Sequence, residues 1–211
     1  MDHDRNIISN GCIVIDKDKI TAVGGGELAS CYEASRVVDA KGKFVFPGMI
    51  STHSHLFQTM LKGLGRDKLL FDWLDSSVRT ALYRFDGEMC YYAALTGCME
   101  AIQSGTTTLL DYMYCHTSPG LSDYVTQAME DIGIRGIYGR GFTNTANFPP
   151  EFKVAHHDTE QDMFDDVRRL YKKYEGHSRM SVALAPGIIW DNTDDGYREM
   201  RKMADEMHIP L

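Results

Sequence analysis

The stretch FVFPGMISTHSHLFQTM, Phe44 to Met60, sets His53 and His55 one residue apart at the end of an apolar run. Alternate side chains along a strand share a face, so a strand ending here aims both imidazoles the same way. Two neutral imidazoles on one face are the start of a divalent-metal site, with metal–nitrogen distances of ~2.0–2.1 Å. The spacing alone is weak, because 8 histidines in 211 positions produce an HxH by chance about 0.3 times. Its position strengthens it: an apolar strand, a Pro47-Gly48 entry, the pair, and then an amphipathic segment from Leu56. Ser54, between the histidines, points into the wall.

The elements that must position the pair fall into two regions. Residues 1–47 read as β structure, part of a small β-sandwich domain. CIVID and TAV form a hairpin around Asp16-Lys17-Asp18-Lys19, and VVDAKGKFVF adds a second pair around Lys41-Gly42-Lys43. Gly24-Gly25-Gly26 lacks the Lys-Ser/Thr and the spacing of a phosphate loop and reads as a flexible connection. Residues 48–211 alternate strand and helix, with strands at Met49–Thr52, Thr106–Tyr112, Ile134–Gly141, Met180–Ala185 and Ile209–Leu211. Between them, Asp86, Ser122 and Thr159 are the helix caps, and Gly105, Gly133 and Gly176 the stops. A last helix carries Tyr197, Met200, Met203, Ala204 and Met207, and the methionine and tyrosine stripes are packing faces.

Strand–helix repetition implies parallel strands with right-handed crossovers, in a doubly wound sheet or a (β/α)8 barrel. HSH stands where a GxGxxG would favour the doubly wound sheet, and the barrel follows. Catalytic groups in a barrel come from the C-terminal ends of its strands, where His53 and His55 lie. About 165 residues follow Pro47, against ~250 for a complete barrel. Four to five strands do not close one. The reading is therefore a partial (β/α)8 TIM-type barrel, in a chain that looks like a fragment of a longer enzyme.

A net charge of -8 and the absence of a basic stripe argue against nucleic acid. Arg168-Arg169 and Lys172-Lys173 read as a solvated helix face. The 5 cysteines form no CxxC and no framework, which suits a reducing cytoplasm. No apolar stretch approaches the ~18 residues of a membrane span, and the N-terminus lacks a secretory h-region. The expected location is cytoplasmic, with a homo-oligomer left open.

PGMISTHSHLFQTMLKGLGRDKLLFDWL resembles the first barrel strand and loop of the amidohydrolase superfamily, in the branch of cytosine deaminase-like and atrazine/triazine hydrolase-like enzymes. GCIVIDKDKITAVG, VVDAKGKFVFPG, YYAALTGCMEAIQSGTTTLLDYMY, IRGIYGRGF and SRMSVALAP agree in order, so the likeness spans the whole chain. The resemblance implies one divalent metal ion, Zn²⁺ or Fe²⁺, held by the HxH pair, a fifth-strand histidine and an eighth-strand aspartate. It also implies a proton-shuttling glutamate after the fifth-strand histidine. Only His53 and His55 carry over. The chain ends at HIPL, so the catalytic residues are expected after Leu211 and the isolated chain is expected to be inactive.

Asp111 and His116, at the end of the second barrel strand, are placed where ligation is allowed, though Asp111 more commonly bonds nearby backbone. His208 belongs to the opposite end, as a favourable charge at a helix C-terminus, and His156-His157-Asp158 reads as surface. Trp73 is the first candidate to stack on a flat heterocycle, with Leu69, Leu70 and Phe71 beside it; packing is its other role. Gln58 can bond a ring nitrogen or lie on a helix surface. Arg140 can meet a polar substituent or form a structural ion pair. Trp190 is a second wall. Some deaminases of this branch carry a histidine near Trp190, and its absence here points away from a nucleoside.

The function expected is metal-dependent hydrolytic deamination of an aminated heterocycle, a small-molecule substrate. The same scaffold also serves cyclic amide or chloro-heterocycle hydrolysis. A different class is a non-catalytic truncated remnant that binds metal weakly or folds only in an oligomer.

Overall fold

The structure, a computed structural model, describes residues 4, 6–147, 151, 154, 156–189 and 191–211. The chain divides into two compact units at Pro47–Gly48. In the first, β1 (Gly11–Asp16) and β2 (Lys19–Gly25) pair antiparallel across the tight turn at Lys17 and Asp18, with a register shift between Val14 and Ile15. Gly24 and Gly25 belong to β2, and Gly26 opens a 3-10 turn, Gly26–Cys31. The triple glycine therefore ends a strand and opens a turn, where a connection was expected.

The second hairpin expected in VVDAKGKFVF is absent among the described residues. Only a turn closes there, with Lys43 N–H donating to the Ala40 carbonyl at 3.0 Å. Alternating apolar residues favour a strand only where a neighbouring strand takes their backbone groups. Val37 and Phe44 are instead 84% and 85% exposed. One hairpin, and no sandwich, is described in this unit.

In the second unit β3 (Met49–Ser54), β4 (Thr106–Met113), β5 (Arg135–Gly141) and β6 (Met180–Ala185) form one parallel sheet in sequential order. The helices α1 (Leu70–Trp73) and α2 (Arg79–Leu82), joined by a π turn at Leu74–Val78, and then α3 (Gly87–Gln103), lie between β3 and β4. The later crossovers are α4 (Leu121–Ile132) and α5 (Glu160–Tyr174), and α6 (Asp194–Met207) follows β6. Residues 209–211 form no strand, although Leu184 N–H donates to the Pro210 carbonyl at 3.0 Å.

The caps explain the boundaries. Asp86 accepts the Met89 N–H and starts α3; Thr159 and Asp162 cap α5 reciprocally; Thr193 accepts the Gly196 N–H and starts α6. Ser122 does not cap α4. Gly120, at φ 81°, takes that place, and the Ser122 hydroxyl instead donates to Asp166 at 2.6 Å. Each helix then buries one stripe against the sheet: Cys90, Ala94 and Cys98 on α3, Val125 and Met129 on α4, Val167 and Leu170 on α5, Met200 and Met203 on α6. Leu109, Met113, Tyr138, Val182 and Leu184 are the buried strand residues of the same core. Among the described residues, no helix is long and apolar enough to cross a membrane.

Candidate functional site

The strand that carries the histidine pair is not regular. Ser51 is level with Leu109 and Ser54 with Asp111, so β3 holds one residue more than β4 between those points. This is a bulge, a device that re-aims side chains next to functional sites. The half-buried positions Ser51 and Ser54 are accordingly three apart instead of two. Simple alternation does not describe this strand end, yet the two rings meet. The His53 and His55 centroids lie 4.8 Å apart with planes at 85°.

Backbone and side chains of β4 hold the bulged end. Ser54 Oγ donates to the Leu110 carbonyl at 2.6 Å, His55 Nδ1 bonds the Tyr112 carbonyl at 2.8 Å, and Leu56 N–H donates to Asp111 Oδ1 at 2.7 Å. A carbonyl oxygen only accepts, so Nδ1 of His55 carries the proton and Nε2 keeps its lone pair. Burial lowers the His55 pKa from its ordinary 6.5; the Tyr112 carbonyl opposes that shift and His53 adds to it. The ring is therefore neutral at pH 7. The rings of Tyr112 and Tyr114 enclose it, with centroids 5.0 and 5.3 Å away.

A hollow of about 320 Å³ opens beside His55, lined by Gln58, Thr59, Lys62, Leu64 and Trp73 among others. Gln58 Nε2 donates to the Tyr114 hydroxyl at 2.7 Å, which fixes the amide at the rim. Lys62 pairs with Glu100 of α3. The Trp73 indole lies over Gly65, where a Cβ would collide with it and where φ is +70°. His55, Gln58 and Trp73 thus come together. Leu69, Leu70 and Phe71, expected on the same wall, are exposed and do not line the hollow.

Arg140 is elsewhere. At 3% exposure its guanidinium meets both oxygens of Asp158, at 2.8 and 2.9 Å, and Asp166 at 3.0 Å. It also donates to the Gly141 carbonyl. Four of its five N–H donors are held inside the protein, so its role is the structural ion pair. Asp158, read as surface, is buried as the other half of that pair. His156 and His157 are half-buried and exposed, and Trp190 lies outside the described residues.

Asp111, at 0% exposure, shares the buried face of β4 with Leu109 and Met113. Burial pushes its carboxyl up to about 7 against the pull of the Leu56 N–H. Burial first, and the nearby Asp111 second, push the thiols of Cys90 and Cys98 up to about 12. Tyr112 and Tyr114, one and three residues after Asp111 and so out of phase with it, pack on His55 instead. Asp111 therefore stands behind the sheet from the imidazole and is no ligand partner to it. The sequence carried the signal: in TTTLLDYM an acid sits in phase with Leu109 and Met113. His116 is also buried, its Nε2 bonding the Met113 carbonyl at 3.2 Å. His208 is the left-handed cap of α6, at φ 52°.

The donor set fits a metal. A neutral imidazole with an oriented Nε2 and a second imidazole beside it are nitrogen ligands of the kind Zn²⁺ and Fe²⁺ take. Among the described residues, the one group of three or more potential ligands with atoms within 4.8 Å of each other is His156, Asp158 and Asp162. Arg140 holds both Asp158 oxygens, and Asp162 accepts from Thr159 in the α5 cap, so that group is already satisfied. No third ligand joins His53 and His55 among the described residues.

A parallel sheet that carries a histidine pair at one strand end is the frame of this candidate metal site. The sequence profile of the amidohydrolase family matches residues 44–211, and the chain belongs to that family. Over 217 residues it is 29% identical to the 5-methylthioadenosine/S-adenosylhomocysteine deaminase of Bacillus cereus, aligning 100% of this chain with 47% of that protein. The chain spans about half the length of the curated relatives it matches. Among solved structures, a triazine hydrolase from Arthrobacter aurescens superposes with a TM-score of 0.84 at 22% identity, over 98% of this chain and 48% of that one. An adenosine deaminase from Xanthomonas campestris with bound zinc gives 0.79 at 18%, over 98% and 44%. At such identities these two show a shared fold.

Proposed function

We propose that this chain is the metal-binding half of a hydrolytic deaminase that removes an amino group from a heterocycle. The observation that carries the reading is the His55 Nδ1 bond to the Tyr112 carbonyl, which leaves Nε2 free beside His53. On this reading β3 to β6 are the first four strands of a (β/α)8 barrel, and residues 1–47 belong to a β-sandwich domain. The sequential order of four parallel strands, each joined to the next through a helix, supports the barrel part of that reading.

His53 and His55 would hold a zinc or iron ion, with the remaining ligands supplied in a protein of the relatives' length. The ion supplies the Lewis acidity that makes water a nucleophile near neutral pH. In the overall exchange a C–O bond forms, the C–N bond breaks, and ammonia leaves with the proton that water gives up. The chain's own contribution is to seat the substrate. Trp73 offers a flat face, the fixed Gln58 amide offers an acceptor oxygen to a ring or exocyclic N–H, and Leu61 and Leu64 add apolar lining. The deaminase relative favours an adenosine-type nucleoside as substrate. The expectation drawn from the missing histidine near Trp190 points the other way, and ammonia release from nucleosides decides between them.

Ammonia release from adenosine and 5′-methylthioadenosine by the zinc-loaded full-length protein tests this. Metal-dependent release that disappears in His53→Ala is expected. A zinc-loaded protein that releases ammonia from neither nucleoside nor any other aminated heterocycle would contradict it.

A further inference from the structure

We propose that Asp111 is the positioning residue of the histidine pair: its Oδ1 holds the Leu56 N–H and so fixes the turn that carries the His55 ring. The proposal rests on the metal reading of His53 and His55. Three consecutive residues of β4 grip three consecutive residues of the bulged strand end. Leu110 takes Ser54, Tyr112 takes His55 and Asp111 takes Leu56, all between 2.6 and 2.8 Å. A regular parallel ladder would fix this register through backbone amides alone. The pairing slips here, so side chains replace it.

The Leu56 N–H is the first donor of the 3-10 turn Leu56–Leu61, one of the groups that a helix start leaves without a backbone partner. His55, at the cap position, makes no side-chain cap bond. Asp111 therefore caps the turn from the neighbouring strand. Its other oxygen, Oδ2, is buried without a hydrogen-bond partner. A buried orphan oxygen costs stability, so the acid is not there to strengthen the core. What it adds is a short bond from a carboxyl oxygen to the backbone immediately after a ligand. Ligation by Asp111 itself is excluded by its place on the strand face opposite to Tyr112, whose ring packs on His55.

The test is the tautomer of His55, read by nitrogen-15 NMR in the metal-free chain, together with zinc affinity by chelator competition. Wild type is expected to hold His55 as the Nδ1–H form. Asp111→Asn keeps an acceptor oxygen and is expected to keep both the tautomer and the affinity. Asp111→Ala is expected to give a tautomer mixture and to bind zinc about 10–100-fold more weakly, the usual cost of losing a group that orients a ligand. A merely structural role moves the melting temperature and leaves the tautomer alone. The proposal is overturned if Asp111→Ala keeps the wild-type tautomer and affinity, or if Asp111→Asn loses as much as Asp111→Ala. Ammonia release assayed in parallel keeps the two readings apart: its absence removes the deaminase, while the tautomer result stands by itself.

Discussion

His55 Nδ1 lies 2.8 Å from the carbonyl oxygen of Tyr112, and that contact decides which ring nitrogen is left for a cation. The contact depends on where Tyr112 sits. A Cβ at Gly141 would run into the Tyr112 ring and stand 2.8 Å from the Met113 carbonyl oxygen. Gly141→Ala is therefore expected to cost about 1–3 kcal/mol by overpacking and to weaken zinc binding along with it. Urea unfolding and zinc competition on the same variant check this. Unchanged zinc affinity in a destabilised Gly141→Ala protein would separate Tyr112 from the site.

Arg140 is expected to answer as a stability residue. Arg140→Met strands Asp158 as an uncompensated buried acid, while Asp166 keeps Arg169 and the Ser122 hydroxyl. The loss is put at ~3–5 kcal/mol, the range for breaking one side of a buried ion pair. Denaturant titration reads it directly. Normal stability combined with a raised KM would return Arg140 to the substrate.

A pH dependence follows from Asp111. Its carboxyl titrates near an ordinary 3.8 in the unfolded chain and at about 7 when folded. Below 3.8 both states are protonated. As pH rises towards 7 the unfolded chain sheds the proton first, so rising pH favours unfolding across that window. Asp111→Asn removes this term. The metal-free wild type should lose stability relative to Asp111→Asn between pH 4 and pH 7, measured by chemical denaturation. Parallel profiles for the two proteins would contradict the raised value.

The α5 cap gives a simpler expectation. Thr159 Oγ1 accepts the Asp162 N–H at 3.1 Å, and Asp162 bonds back to the Thr159 N–H at 3.0 Å. Thr159→Ala should cost about 1 kcal/mol, read as a shift in the denaturation midpoint. Because Asp158 and Asp162 flank that cap, a much larger loss would mean that the Arg140 pair had been disturbed as well.

What the residues disclosed in advance was mostly local. The strands at Thr106, Ile134 and Met180, and the caps Asp86 and Thr159, are encoded by neighbours a few positions away. So was the histidine pair, although the bulge beneath it was not, since a register slip depends on the partner strand. Contacts across long separations stayed hidden. Nothing near Arg140 in the sequence announces Asp158, which lies 18 positions away. VVDAKGKFVF alternates like a strand yet finds no partner among the described residues, and alternation alone does not make a sheet. Gly120 displaced Ser122 as the α4 boundary because a left-handed turn two residues earlier starts the helix first. Asp111 was visible as an acid in phase with two apolar residues, but its bond to Leu56 spans 55 positions.

The central claim is that the imidazoles of His53 and His55 bind one cation. X-ray absorption on the zinc-loaded full-length protein, beside its His53→Ala and His55→Ala variants, measures that directly. The account predicts nitrogen scattering at ~2.0–2.1 Å from at least two imidazoles in wild type, with one imidazole fewer and weaker zinc retention in each variant. Stoichiometric zinc with an unaltered imidazole count in both variants would contradict it.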